Sequence, residues 1–383
     1  MKICAIICEY NPFHNGHLYH IREAKRLSGA DCVLCLMSGN FVQRGEGAIL
    51  GKYARAKHAV LAGADIVIEL PTVYATSNAE IFATGAVQML SSIPSVDYLC
   101  FGAENADSAA FLHAATLLNN EPKEVSLQIK KLTDEGLSFA KARAEAWKNL
   151  LPHNLINSPN NILGIEYTRA ILKWNANISI LPIPRLGNGY NSDTLNEDYA
   201  SASAIRKAVS ENVSVDNYIP EYVLKDLTTA NNNTLESLEK YALIANTAEQ
   251  IAKVCDCTEG LENAFKKAAI ENGTLAEQLT SARYTSSRIR RIALQNLLRI
   301  EENFIRTCLK SKLYLRVLAV RKDRKDVLSE LSNAELPLLL RANDENALTE
   351  TAKSCLEKDN FAEKIYTIAY NFHEKEKNIF YDV

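Results

Sequence analysis

Two histidines stand three residues apart in Glu9-Tyr-Asn-Pro-Phe-His14-Asn-Gly-His17-Leu-Tyr-His20, directly behind the apolar run Ile3-Cys-Ala-Ile-Ile-Cys8. The run reads as a buried strand. Asn11-Pro12 ends it, and Asn15-Gly16 permits tight backbone approach before a helix expected to begin near His17. Imidazoles at i and i+3 share one face of a first helical turn. In an open parallel sheet, ligands bind beyond the carboxyl ends of the strands, where a helix start offers unpaired N–H groups and a partial positive charge. Two imidazole donors there suit the negative charge that builds on a pentacoordinate phosphorus and on a departing pyrophosphate. His14 and His17 are therefore the first candidates for chemistry at a phosphate.

A second group of residues is basic. Residues 281–330 hold 13 Lys and Arg against 5 Asp and Glu, a local excess of +8 in a chain whose net charge is −3, so the rest carries −11. Such asymmetry suggests a region that meets a polyanion. Arg283 through Arg299 reads as a helix with Ile289, Ala293, Leu297 and Ile300 on one apolar arc and Arg288, Arg291 and Arg299 opposite. Arg283 and Tyr284 sit just before it, where guanidinium and ring stacking on bases can occur. With Arg290 they form a candidate RNA contact set, the plainer reading being a solvated basic face. Nearer the N-terminus, Gln43, Arg44, Lys52, Arg55 and Lys57 either line the mouth of the anion site or form a solvated helix face. Glu69, before Pro71, is placed to orient a polar partner.

These residues need elements to position them. Strand signals at Ile3–Cys8, Asp31–Met37, Ile66–Leu70, Val96–Phe101 and Ile178–Ile183 alternate with helix signals at Leu18–Leu27, Lys52–Ala62 and Glu80–Leu90. Near-continuous apolar strands separated by amphipathic helices predict an α/β fold, a parallel sheet with helices on both faces. From about Tyr218 onward, helical periodicity dominates over Thr234–Val254, Leu261–Asn272, Tyr284–Cys308 and Asp359–His373, with at most a short strand around Leu313–Ala319. Asn231-Asn232-Asn233 reads as a loop. At 383 residues two domains are expected, 1–215 carrying the phosphate chemistry and 216–383 helical and basic. No apolar run approaches the roughly 18 to 20 residues of a membrane span. No leader is apparent, so no membrane association and a cytoplasmic location are expected. Nine scattered cysteines fit a reduced compartment, and Cys32-Val-Leu-Cys35 lies in a strand-like run rather than opening a helix. No metal-ligand motif and no protein partner are indicated.

His14-Asn-Gly-His17 resembles the HxGH signature of the HIGH-type nucleotidyltransferase superfamily, whose sheet domain is Rossmann-like. Tyr199-Ala-Ser201-Ala-Ser203-Ala-Ile-Arg206 resembles its second signature, with alanines intervening at 202 and 204. There Ser201 and Ser203 could cap a helix and touch phosphate, while Arg206 supplies mobile charge that follows the leaving group. The resemblance narrows further. Glu9–His20, Met37-Ser-Gly-Asn-Phe-Val-Gln-Arg-Gly-Glu46, Gly63-Ala-Asp-Ile-Val-Ile-Glu-Leu-Pro71 and Ser158-Pro-Asn-Asn-Ile-Leu-Gly164 are similar to the tRNA(Met) cytidine acetate ligases. That family implies activation of acetate by ATP to acetyl-adenylate. The acetyl group is then transferred to the exocyclic amine of the wobble cytidine of elongator tRNA(Met).

The resemblance carries over a nucleotide cradle of Ile7, Cys8, Glu9, Tyr10, Asn11, Pro12, Phe13, His14, Asn15, Gly16, His17, Leu18, Tyr19 and His20. Gly102, Asn160, Asn161 and Arg185 join it as ATP contacts, with Ser201 and Ser203. His14, His17 and Arg206 are the expected catalytic groups. Mg²⁺ is expected with ATP from the chemistry of the nucleotide. The Arg283-Tyr-Thr opening of the basic segment also resembles the family, in which a helical C-terminal part is expected to hold tRNA. A small-molecule adenylyltransferase with an accessory helical domain is the alternative, and it has no use for the basic segment.

Overall fold

A computed structural model of the chain describes every residue except 149, 153–154, 157, 186–198, 228–233 and 373–377. Asn231–Asn233, the residues beyond Arg185 in its loop, and His373 therefore lie outside the described residues. Strands occur at β1 (Ile3–Cys8), β2 (Cys32–Ser38), β3 (Phe41–Val42), β4 (Glu46–Gly47), β5 (Ile66–Leu70), β6 (Val96–Ala103), β7 (Ser179–Pro184), β8 (Leu315–Arg321), β9 (Leu338–Leu339) and β10 (Phe380–Tyr381). Parallel pairing places them in the order β5-β2-β1-β6-β7, with Ile3 beside Cys32 and Leu34 beside Ile66. The chain runs outward from β1 to β5 and then returns to the other side of β1 with β6. That reversal between β1 and β6 is a topological switch point, and a crevice opens there above the strand ends.

Alternate residues of each strand feed opposite faces. Ile3, Ala5, Ile7, Leu34 and Ile68 pack with the helices Ala79–Ser91 and Pro159–Trp174, while Cys4, Ile6, Val33, Cys35 and Val67 pack with Asn15–Ser28 and Lys52–Leu61. Cys32 and Cys35 thereby fall on opposite faces of β2, both buried, which removes the redox reading of their spacing.

Two long periodic stretches divide. Tyr284–Cys308 becomes Ser286–Leu298 and Glu302–Leu309, because Arg299 adopts the left-handed region (φ 56°) and closes the first helix. Thr234–Val254 breaks at Asn246, and Thr247 starts Ala248–Ile251 with a capping box to Gln250. The strand expected around Leu313–Ala319 is β8. It lies antiparallel beside β5, with Ile66 opposite Val320 and Val67 opposite Ala319, and β10 extends the same sheet. The sheet thus crosses the boundary expected at 215/216. The mostly helical remainder builds a small core of its own around Leu243, Phe265, Ile289 and Ile292. Among the described residues no helix is long and apolar enough to cross a membrane.

Candidate active site

The helix after β1 begins at Asn15, two residues earlier than the spacing predicts, because His14 itself is the N-cap. Its Nδ1 accepts the Gly16 N–H at 3.1 Å, and His17 Nδ1 accepts the His14 N–H at 3.3 Å, a capping box built from two imidazoles. Gly16 allows this, since a Cβ there would stand 2.9 Å from the His14 ring. The rings stack with centroids 3.6 Å apart. With each Nδ1 accepting a backbone N–H, the ring proton of both histidines must sit on Nε2. Each ring therefore offers the crevice one N–H donor and no lone pair. Burial first, and then the charge of Arg185, lower His14 to about 3 and His20 to about 4. Burial also holds His17 well below the usual range, with His14, Arg185 and His20 adding to it. The pair is neutral at physiological pH, with each Nε2 proton left as a free donor position.

Ten of the fourteen cradle residues line a cavity of about 250 Å³ at the switch point. Pro12, Phe13, Asn15 and Leu18 do not. Phe13 is packed against Tyr10 (4.9 Å) and His17 (5.6 Å). Asn15 donates to the Asn217 carbonyl at 2.9 Å, and Leu18 lies against the core. They shape the turn and do not line the cavity.

Across the cavity, Ser201 caps the helix Ala202–Ser210 by accepting the Ala204 N–H at 3.0 Å. One turn on, Arg206 donates to the Asn11 carbonyl at 2.7 Å and approaches Ser203 Oγ at 3.4 Å and Glu46 at 3.9 Å. Capping occupies the Ser201 oxygen, whereas Ser203 stands beside the guanidinium. On the β6–β7 side, Arg185 lies over Gly102, where a Cβ would meet its stem at 3.3 Å, and donates to Asn160 at 3.4 Å. Asn160 and Arg185 line the cavity. Asn161 does not: it is fully buried, and its oxygen accepts the N–H groups of Glu104 and Asn105 at 3.0 and 3.3 Å. It pins the loop after β6 instead of reading a base or ribose edge.

Gln43 and Arg44 line the cavity, but the cations after them have other tasks. Lys52 is buried with Glu69 at 2.8 Å and Glu363 at 3.2 Å, and Arg316 reaches Glu69 at 3.3 Å. Glu69 does orient polar partners, as a buried ion-pair hub rather than at the ligand. Arg55 is wholly buried and gives its guanidinium to the carbonyls of Glu9, Ser38, Gly39 and Leu50, tying the ends of β1 and β2 together. Lys57 pairs with Asp226 at 3.5 Å.

The basic segment is less exposed than its charge suggests. Arg291 is largely buried, 3.7 Å from Asp256, and so is not on a solvent face. Arg288 donates to the Asp256 carbonyl and Thr258, and lies over the Tyr284 ring at 5.0 Å. Arg283 and the Tyr284 hydroxyl both engage Glu259, and Arg290 pairs with Glu46. Arg299 is exposed at its helix end. Further along, Arg321 and Arg324 share buried Asp65. Acids distant in sequence thus offset much of the local excess.

Sequence reasoning missed Glu46, Phe82, Phe101, Tyr167 and Tyr199, all of which line the cavity. Glu46 lies within a stretch that drew attention only as a resemblance. Phe82, Phe101 and Tyr167 come from helix and strand positions whose periodicity marks them as core, whereas Tyr199 lies in the stretch before the Ala202–Ser210 helix.

Known proteins match along the whole chain. A family model described as HIGH Nucleotidyl Transferase matches residues 1–379. The chain is 38% identical over 396 residues to the tRNA(Met) cytidine acetate ligase of Acetivibrio thermocellus, covering 97% of this chain and 95% of that protein. It is likewise 38% identical over 400 residues to the ligase of that name from Caldanaerobacter subterraneus subsp. tengcongensis, covering 100% and 99%. Its structure is similar to that of Thermotoga maritima TmcAL in the apo form, with a TM-score of 0.92 and 28% identity over both full chains. Against the same protein bound with alpha-thio ATP the TM-score is 0.89, again at 28% identity over both full chains.

Proposed function

Because the chain belongs to the HIGH nucleotidyltransferase family, alongside the tRNA(Met) cytidine acetate ligases, we propose that it joins acetate to the wobble cytidine of elongator tRNA(Met) using ATP. In the first step an acetate oxygen attacks the α-phosphorus of ATP, and pyrophosphate leaves. The observation that carries this reading is the pair of stacked, neutral imidazoles whose remaining donors face the crevice opposite Ser203 and Arg206. Preset N–H donors stabilise charge that appears only in the transition state, without reorganising at that moment. Arg206, held by the Asn11 carbonyl, is placed to exchange that contact for the departing pyrophosphate. Gly102, Asn160 and Arg185 are suited to the nucleoside end. Mg²⁺ would accompany the nucleotide and neutralise its phosphates. In the second step the cytidine amine attacks the acetyl carbonyl and AMP leaves.

Arg283, Tyr284, Arg288, Arg290 and Arg299 are proposed to meet the tRNA, each exchanging an internal contact or a water shell for backbone phosphate. Residues 1–215 would supply the adenylation groups and 216–383 most of the RNA surface. A tRNA substrate implies the cytoplasm. The test incubates the purified protein with labelled acetate, ATP and bulk tRNA, followed by nucleoside analysis. N4-acetylcytidine in elongator tRNA(Met) is the expected product. Adenylate formation with no label in RNA would favour a small-molecule adenylyltransferase instead.

A further inference from the structure

We propose that Glu9 is the general base of the acetyl-transfer step, its carboxylate removing the proton from the cytidine N4 amine as that nitrogen attacks the acetyl carbonyl. This rests on the reading of the chain as an acetate ligase. The amine of cytidine is a weak nucleophile, because its lone pair is delocalised into the ring. As the C–N bond forms, the nitrogen becomes positively charged and must shed a proton. The C–O bond to AMP then breaks with its electron pair on the phosphate, and the proton passes from Glu9 to water. Some group in the cavity has to accept that proton.

Elimination leaves few acceptors. The Nδ1 atoms of His14 and His17 are occupied by backbone N–H groups, and their Nε2 atoms carry the ring protons. Glu46 has one oxygen paired with Arg290 and the other facing Arg206 at 3.9 Å. His20 has its Nε2 at the Cys100 thiol, 3.2 Å away. Glu9 differs from all of these. It lines the cavity at the end of the central strand, and its Oε1 accepts the Gln43 N–H at 2.8 Å. Among the described residues it forms no ion pair, so it is oriented by main chain without being neutralised.

The surroundings suit a base as well. Phe82, Phe101 and Tyr167 wall the cavity, with Tyr167 5.9 Å from Phe101 and 6.5 Å from Phe82, and such faces exclude water and accept a planar ring. The charged and titratable groups facing Glu9 are Arg206, Arg44 and Arg55 together with Tyr167. The three arginines pull its pKa down, but burial outweighs them and lifts the carboxyl above its ordinary range. That brings it closer to the operating pH, where a general base is most effective.

Glu9→Gln tests this, since the amide oxygen can still accept the Gln43 N–H. Two rates are compared: acetate-dependent ATP–pyrophosphate exchange, and transfer to elongator tRNA(Met) from supplied acetyl-adenylate. Transfer should fall on the order of 10²- to 10⁴-fold, with a far smaller loss in exchange. In the parent, the transfer rate should rise with pH through the Glu9 titration. Glu9→Gln should abolish that rise and His20→Gln should keep it. Equal losses in both assays, parent-like transfer by Glu9→Gln, or a parent profile without an acid limb would each overturn the proposal. A Glu9→Gln protein that does not fold is recognised by absent exchange, and the parent profile then decides. A parent that makes neither acetyl-adenylate nor N4-acetylcytidine overturns the acetate-ligase reading itself.

Discussion

Replacing His14 separates two roles that one imidazole performs. As N-cap it accepts the Gly16 N–H, and an Ala in that place costs about 0.5–2 kcal/mol of stability. As a preset donor it is worth about 2.7–4 kcal/mol in the transition state, or roughly 10²- to 10³-fold in rate. His14→Ala should therefore lose both, and the buried ring it removes, stacked 3.6 Å from His17, adds a packing loss. His14→Asn should restore the cap, since Asn is among the strongest N-cap residues. Its shorter side chain cannot bring a donor to where Nε2 stands. The urea midpoint of His14→Asn should thus recover toward the parent while acetate-dependent exchange stays low. ATP affinity should change less in either variant, because the backbone N–H groups remain. Recovery of the exchange rate in His14→Asn would show that the ring serves only as a cap, and a parent-like rate in His14→Ala would remove it from the chemistry.

Three further outcomes follow from the same geometry. Burial holds His14 to about 3 and His20 to about 4, and also lowers His17 and His58, so below about pH 6.5 the unfolded chain binds protons that the folded one refuses. Their contribution to stability is complete above that pH and shrinks as pH falls toward 4, and urea midpoints at pH 7.5 and 5 should show the decline, with a smaller one in His14→Asn. Lys52→Met leaves Glu69 and Glu363 to Arg316 alone in a buried site, and should cost about 3–5 kcal/mol in equilibrium unfolding; a loss under about 1 kcal/mol would show that Arg316 suffices. Arg283→Ala and Arg288→Ala should each flatten the salt dependence of tRNA binding by about one unit or less, whereas Arg291→Ala, being largely buried beside Asp256, should act on stability instead, and the reverse pattern would remove the first two from the RNA contact.

The parts of this molecule legible in sequence are those where local chemistry and tertiary role coincide. Ile3–Cys8 is a continuous apolar run buried on both faces, so the strand ends where the pattern ends. His14 and His17 stood out by residue type and spacing, and Arg206 by the resemblance of 199–206 to a second signature; all three line one cavity. Position 299 was not visible, since nothing in an Arg side chain announces a left-handed backbone. It closes a helix whose periodicity runs on into Glu302–Leu309. Arg55 and Lys52 were open to misreading for a different reason. A cation on an amphipathic helix reads as solvated, and only the fold reveals that carbonyls of two strand ends, or two glutamates, lie beneath it. Charge counted over a window of sequence fails in the same way. Asp65, Asp256 and Glu259 lie outside residues 281–330, yet they stand against Arg321, Arg324, Arg291 and Arg283.

That interleaving changes what the second half of the chain is for. Polar contacts tie it to the elements beside the crevice. Asp359 accepts the Thr72 N–H at 2.7 Å, and Gln295 donates to the Thr76 carbonyl at 2.9 Å. The Tyr366 hydroxyl donates to the Ala48 carbonyl at 2.7 Å, and Arg290 holds Glu46, whose other oxygen faces Arg206. Gly45, with φ 73°, lies so close to the backbone of Arg290 and Arg291 that a Cβ would stand 2.5 Å from the Arg291 nitrogen. The β3–β4 turn that supplies Arg44 and Glu46 to the cavity is therefore seated directly on the helix that carries Arg288 and Arg290, two of the arginines proposed to meet tRNA. The groups proposed for adenylation and those proposed to meet tRNA belong to opposite ends of the sequence but to one packed unit. The surface that would receive the anticodon is built onto the wall of the site that makes the acyl donor, which leaves a short path between the two half-reactions.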